Sequence, residues 1–405
     1  MLKSAILITA VLLQCHALQG ETMSNSTGSP SHPFNVHDLW SMERVSGPQA
    51  CPDGRWIVFG KSVTDLKANK LRTDLWLINT DGKGLRRLTS HEAGSHSGVF
   101  GPAGRWVWFL SSRSGSSQVW KIRIDGGEAQ QVTDQPLDVN GFLLSPDGTR
   151  LALVMEIFPD TKTPDETKTR LDEIKKRQAT GQVYEQLFIR HWDAWKDGRR
   201  SHWLVTPAEG GDVVDVMAGL EMDSPTKPFG GVEEATFAPD SRSLVFAARN
   251  TGRAEAWSTD VDLFQVPCDG SSPPQCLTPD NRAWTTNPVF SPDGTKLAYL
   301  AMRRPGFEAD RFRIMLRDWP GAKGTDRALT ESWDRSAGGI VWSKDSKTLF
   351  TTANNLGQRS LFSVDLATAK VETLVEQGHV ASPSVAGDRV VYAMDHLQGP
   401  AELYA

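Results

Sequence analysis

Four cysteines, four tyrosines and no surplus of basic residues mark this 405-residue chain; 44 Lys and Arg stand against 49 Asp and Glu, a formal net charge of -5. So few cysteines exclude a disulfide-scaffolded fold. A chain without clustered cations is not a generic polyanion binder, because neutralising phosphates requires them, and no nucleic-acid partner is expected. Past the first 20 residues no apolar run is long enough to cross a bilayer, so stable membrane insertion is not expected either. His-Glu-x-x-His, a phosphate-binding glycine loop and paired metal-binding cysteines are all missing, so neither a metal nor a cofactor is expected. The nearest approach to a nucleophile elbow is Gly94–Gly98, but His96 holds its central position and the segment lies between strands. His191 and Asp193 are only two ligands, and read better as a hydrogen-bonded pair than as a metal centre. No catalytic residue is assigned.

The ends of the chain carry a different signal. Residues 1–20 place Lys3 before the apolar run Ala5–Leu13 and a small residue at Ala17. That order is the form of a secretory signal peptide, and it predicts a secreted or periplasmic protein. Residues 21–32 read as a flexible segment. In an oxidising compartment Cys268 and Cys276, flanking a loop rich in glycine, serine and proline, are expected to form a local disulfide.

What the chain has in abundance is turns: 35 glycines and 23 prolines, with 14 tryptophans among the apolar runs between them. One unit recurs. Cys51-Pro-Asp-Gly54, Gly101-Pro-Ala-Gly104, Ser145-Pro-Asp-Gly148, Ala238-Pro-Asp-Ser241, Ser291-Pro-Asp-Gly294 and Ser343-Lys-Asp-Ser346 each precede a short apolar strand, and Ala386-Gly-Asp388 is a degenerate seventh. Proline presets φ, aspartate bonds to nearby backbone, and glycine accepts positive φ, so each unit is a tight turn between strands. The spacing is 42–53 residues except for one interval of 93. Units of this length with about four short strands predict an all-β fold, a seven-bladed β-propeller whose last blade need not be complete, over residues 33–405.

The long interval holds an insertion at about 159–200. Thr163-Pro164-Asp165-Glu166 reads as a capping box with proline at the first helical position. Leu171 and Ile174 continue at helical spacing, and a second helical stretch is expected over 183–195, with Tyr184, Leu187 and Phe188 on one face. Long insertions carry function more often than hairpins do.

The insertion YEQLFIRHWDAWKDG (184–198) resembles the corresponding segment of the dipeptidyl-peptidase V group in the prolyl oligopeptidase family. KPFGG (227–231), PVFSPDGTKLAYLAMRRPGFEADR (288–311) and Trp333-Asp-Arg-Ser336 leading to VWSKDSKTLF (341–350) are similar to the same group in the same order. The resemblance implies a secreted serine peptidase that releases dipeptides from oligopeptide N-termini, with a propeller preceding a C-terminal α/β-hydrolase domain. The nucleophile, base, acid and oxyanion hole would belong to that domain, so the chain by itself is expected to be inactive, with the hydrolase domain and oligopeptides as its partners. A dipeptidyl peptidase must hold the substrate ammonium at a fixed distance, and relatives do so with acidic residues of a propeller excursion. Glu185 and Asp193 are therefore the candidate anchors, with Arg190 orienting a carbonyl or carboxylate and Tyr184 and Trp192 lining the pocket. The alternative is that Arg190 and Asp193 pair structurally, in a non-enzymatic propeller that serves as a binding or scaffolding module.

Overall fold

A computed structural model describes residues 32–321 and 326–405. The leader and residues 21–31 of the flexible segment lie outside the described residues. The chain is built almost wholly of antiparallel strands. Five sheets have four strands each and follow one another in sequence, and a sixth has seven strands. The first runs Arg44–Ala50, Trp56–Asp65, Lys70–Asn79 and Arg86–Arg87, each strand beside its successor. The next four repeat that order, starting at His96, Gly141, Ala235 and Thr285. In the last sheet Val341–Trp342, Thr348–Asn355, Gln358–Asp365 and Val371–Val375 join His379–Ala386, Arg389–His396 and Gly399–Tyr404 through a single parallel pairing, Arg359 with His379.

Each turn unit found in the sequence joins the first two strands of such a group. At Ser145-Pro-Asp-Gly148 the Asp147 carboxylate accepts from Ser145 Oγ at 2.6 Å and from Thr149 N at 2.9 Å. Burial opposes its charge, but these hydrogen bonds prevail and push Asp147 down to about 2. Ser241 and Ser346 stand where the other turns have glycine and take the same left-handed conformation, at φ 58° and 59°. Each is held by a neighbour: Ser241 Oγ accepts from Asp147 N and Ser346 Oγ from Asp293 N, both at 3.2 Å. The turns of successive sheets therefore touch one another on one face. The turn of the first sheet likewise meets that of the last, where a Cβ on Gly54 would come 2.9 Å from Gly387 N.

The core lies between sheets. Trp203, fully buried, packs with Val154, Phe246 and Val266 across the third and fourth sheets. Ile57 of the first sheet packs with Ala386 and Val391 of the last, and Ala50 N donates to Ser384 Oγ at 3.0 Å. Trp108 and Trp342 are buried as strand residues, whereas Trp56, Trp106 and Trp120 are half-buried beneath Arg86, Lys121 and Arg113.

No disulfide joins Cys268 and Cys276. The strand register sets Cys276 opposite Phe264, four residues from Cys268 along an extended chain. That is roughly 13 Å, twice the Cα separation a disulfide tolerates. Cys268 is buried in the core, and burial pushes its thiol up to about 11.

Candidate functional site

Because the turns occupy one face, the connections from second to third strand emerge on the opposite one. The longest of these, residues 158–199, links Arg150–Ile157 to Arg200–Pro207. Its first part is the helix that the sequence predicts, although Glu166 bonds Lys162 N rather than the Thr163 N that would close the capping box. Pro164–Lys176 is helical, Thr163 Oγ1 accepts from Glu166 N at 3.3 Å, and the Glu166 carboxylate accepts from Lys162 N at 2.7 Å. The helix is fixed to its sheet by buried Thr167, whose hydroxyl accepts from Phe158 N at 3.2 Å. Arg170 lies 4.0 Å over the Phe158 ring.

The second helical stretch does not form. Arg190–His191 pairs with Ala194–Trp195 as a small hairpin, and Trp192 takes φ 53° at its turn. The aromatic spacing that suggested a helix face serves separate contacts instead. Tyr184 stacks on Trp195 at 6.2 Å, Phe188 lies against His191 at 4.8 Å, and Trp192 meets Phe229 edge-on at 5.7 Å. Trp192 and Phe229 are both about three-quarters exposed, at 76% and 77%. A helix needs a face to bury, and this segment has little to bury it against.

Between the helix and this segment lies an open cavity of about 1000 Å³, walled by Arg170, Ile174, Tyr184, Glu185, Phe188 and Lys196 among others. The structure thus brings Tyr184 and Glu185 to one wall and leaves Arg190, Trp192 and Asp193 outside it. Among the described residues the side chains of Glu185, Arg190 and Asp193 form no hydrogen bond or ion pair, so Arg190 and Asp193 are not the structural pair that the sequence left open.

Two residues lining the cavity, Lys196 and Arg200, belong to a charged cluster that the sequence reading missed. Arg200, 8% exposed, donates from Nη1 and Nη2 to the two Glu255 carboxylate oxygens at 2.9 Å each, and from Nη1 to Asp223 at 2.8 Å. Lys196 Nζ stands 3.8 Å from Asp223 and 3.7 Å from Glu255. Burial disfavours the charge on Arg200, but the hydrogen bonds and attraction of the two carboxylates outweigh it and raise its pKa. For Lys196 burial wins and the pKa falls. Burial, reinforced by Lys196, also lowers His191. The only sequence signal for this cluster was an arginine opening a strong apolar strand; its partners lie 23 and 55 residues away.

A second buried carboxylate fixes the neighbouring loop. Glu234, 4% exposed, accepts from Thr226 N at 2.7 Å, from Thr226 Oγ1 at 2.9 Å and from Thr286 Oγ1 at 3.3 Å. Burial, aided by the neighbouring charge of Glu233 and opposed by these bonds, pushes Glu234 up to about 7. Between its unfolded value, near 4.5, and about 7 the folded chain then holds more proton than the unfolded one. Stability should fall as pH rises through that window, by at most roughly 3 kcal/mol. In Glu234→Gln this component of the pH dependence should vanish, and the variant should melt at or above the unsubstituted chain at pH 8. Denaturant unfolding at pH 5 and pH 8 measures both; the same pH slope in both proteins would contradict this reading.

Sheets of four antiparallel strands in sequence, linked turn to turn, with a long excursion on the opposite face, define a propeller-type fold. No family model matches the chain. It is 29% identical to dipeptidyl-peptidase 5 of Porphyromonas gingivalis over 388 residues, covering 94% of this chain and 55% of that protein. The chain thus spans about half the length of the curated relatives it matches. Its fold matches the acylaminoacyl peptidase of Pyrococcus horikoshii with a TM-score of 0.65 at 14% identity, over 90% of this chain and 51% of that one. It also matches the β-propeller domain of the trilobed protease of Pyrococcus furiosus with a TM-score of 0.57 at 12% identity, over 89% and 92% of the two chains. Along nearly its whole length the chain is similar to dipeptidyl-peptidase 5, and its fold is that of a β-propeller domain.

Proposed function

We propose that this chain is the substrate-gating propeller of a secreted serine dipeptidyl peptidase, one that releases dipeptides from the N-termini of oligopeptides. In this reading the seven-stranded sheet divides at its single parallel pairing into two blades, making seven in a closed ring. In the same reading a C-terminal α/β-hydrolase domain supplies the nucleophile, and the 405-residue chain alone leaves peptides uncleaved. The observation that carries the reading is the similarity to dipeptidyl-peptidase 5 along nearly the whole chain, and the unpaired Glu185 on the cavity wall gives it a place to act.

An unpaired carboxylate there favours a substrate ammonium over its neutral form, and a fixed anchor counts two residues to the scissile bond. Glu185 is the better anchor of the two acidic candidates, because Asp193 lies outside the cavity. Tyr184 and Trp192 bound the approach, and Arg190 orients a carbonyl or carboxylate of the peptide. The purified 405-residue chain should leave dipeptidyl chromogenic substrates intact. In the enzyme that carries the hydrolase domain, Glu185→Gln should lower kcat/KM for free-amine substrates by about 10- to 100-fold, the worth of a charge-assisted hydrogen bond. Asp193→Asn should change it much less. Turnover by the chain alone, or unchanged discrimination between free and blocked N-termini in Glu185→Gln, would refute the corresponding part.

A further inference from the structure

The loop over residues 226–231 stands on one buried carboxyl group. Thr226 is buried, whereas Pro228 and Phe229 are exposed. Thr226 N and Thr226 Oγ1 donate to the two oxygens of Glu234, and Gly230 N donates to the Thr226 carbonyl at 2.8 Å, which closes the loop over the acid. A Cβ on Gly230 would come 2.5 Å from Glu234 Oε2 and 2.5 Å from the Thr226 carbonyl oxygen, so the loop backbone lies directly against it. The outer ties of the loop are weaker. Lys227 forms a partly exposed ion pair with Glu156, and Phe229 meets Trp192 of the insertion with both rings about three-quarters exposed. Through that ring contact the loop braces the hairpin of residues 190–195, whose Trp195 stacks on Tyr184 of the cavity wall.

The acid has a place for a proton. Thr286 Oγ1 lies 3.3 Å from Glu234 Oε1 and 3.2 Å from Asn287 Oδ1, but it has one proton to give. When it donates to Asn287, its oxygen can accept from a protonated Glu234, and the neutral acid is fully hydrogen-bonded. The ionised acid is served less well. Three neutral donors surround it, and no ion pair reaches it among the described residues. The elements packed around it supply no cation. Its own turn brings the like charge of Glu233, and the strand Thr285–Phe290 brings Thr286 and Asn287. The strand Gly141–Leu144 meets the turn through Gly141, beside Val232, and Lys227 of the loop is engaged with Glu156. A buried charge without a counter-ion is costly, which is why burial dominates the upward push on Glu234.

We propose that Glu234 is a proton-operated latch: protonated, it holds the loop of residues 226–231 closed against the insertion, and ionised, it lets the loop lift and release Trp192. Opening admits water to the carboxylate and restores its ordinary acidity. The group then titrates near 4.5 with the loop open and at about 7 with it closed. A raised value in the closed form means that closure is favoured most below 4.5, weakens as pH rises through the window, and changes no further above about 7. The insertion hairpin loses its brace over the same range, so the cavity wall loosens as pH rises. The latch does not depend on the peptidase reading.

Hydrogen–deuterium exchange of the 405-residue chain at pH 5.5 and pH 8, corrected for intrinsic exchange rates, tests it. Peptides spanning residues 226–231 should lose protection by about 10- to 100-fold at pH 8, as the gap between 4.5 and about 7 dictates over that range. Peptides spanning residues 190–195 should follow with the same pH dependence. The loop should also exchange at least about 100-fold faster than the strand Arg200–Pro207 at either pH, the mark of a local opening. Glu234→Gln, which keeps a donor for Thr286 and an acceptor for Thr226, should hold the loop closed at both pH values. Gly230→Ala leaves the acid in place but denies the loop its seat; it should expose residues 226–231 at both, and it supplies the answer if Glu234→Gln does not fold. Equal loop protection at the two pH values, or a pH dependence retained in Glu234→Gln, would overturn the latch. Loop and strand exchanging at one common rate would also overturn it, since Glu234 would then act on global unfolding alone. An unchanged hairpin beside a responsive loop would refute the coupling to the insertion.

Discussion

Glu255→Ala should destabilise the chain by about 3–5 kcal/mol, the usual cost of removing one partner from a buried ion pair. Glu255 accepts two hydrogen bonds from Arg200, and the side chains of Arg200, Glu255 and Asp223 are only 10%, 12% and 5% exposed. Its loss leaves two buried cations, Arg200 and Lys196, with Asp223 alone. The damage should be local as well as global, because Arg200 opens the strand into which the insertion returns and Glu255 belongs to the turn of the neighbouring sheet. Limited proteolysis should therefore cut residues 178–199 faster in the variant. The double variant Arg200→Met/Glu255→Leu should lose much less than the sum of the single changes, since it removes the buried charges together and leaves Lys196 with Asp223. Chemical denaturation of the unsubstituted chain, Arg200→Met, Glu255→Leu and the double variant gives the coupling; strict additivity would mean that the cluster is not acting as an ion pair.

Trp203→Ala should cost a similar amount, about 3–5 kcal/mol, by a different mechanism. Trp203 is fully buried in the third sheet, among side chains of the third and fourth. Its Nε1 donates to Ser224 Oγ at 2.9 Å, and that hydroxyl donates to the Ala247 carbonyl at 2.8 Å. The indole therefore joins two sheets by packing and by a short relay. Trp203→Phe should recover most of the packing and lose about 1–2 kcal/mol, from the lost donor and the smaller ring. Equilibrium unfolding separates the two, and a midpoint for Trp203→Ala within about 1 kcal/mol of the unsubstituted chain would contradict the packing assigned to this residue.

The parts of the fold that were legible in the sequence are those governed by neighbours in the chain. Ser145, Pro146, Asp147 and Gly148 make a turn among themselves, and Thr163 caps a helix that begins at the next residue. The stretch over 183–195 misled for the same reason. Its spacing is compatible with a helix, but no surface was there to receive one face, and a hairpin with separate ring contacts forms instead. Cys268 and Cys276 flank a loop, yet strand register, not loop composition, sets their separation.

At the candidate site the division follows the range of the interactions. The sequence by itself determined that the chain is a run of β units with one long excursion, because turn geometry and apolar alternation are short-range and repeat. It also picked out Tyr184 and Glu185 as members of that excursion. Only the tertiary structure decided that these two share a cavity while Asp193 does not, that Arg200 is held by Asp223 and Glu255, and that Arg249 sits over Trp284. The physical reason is that burial and charge pairing depend on which sheet packs beside which, and no local pattern encodes the position of a residue 20 to 60 places away.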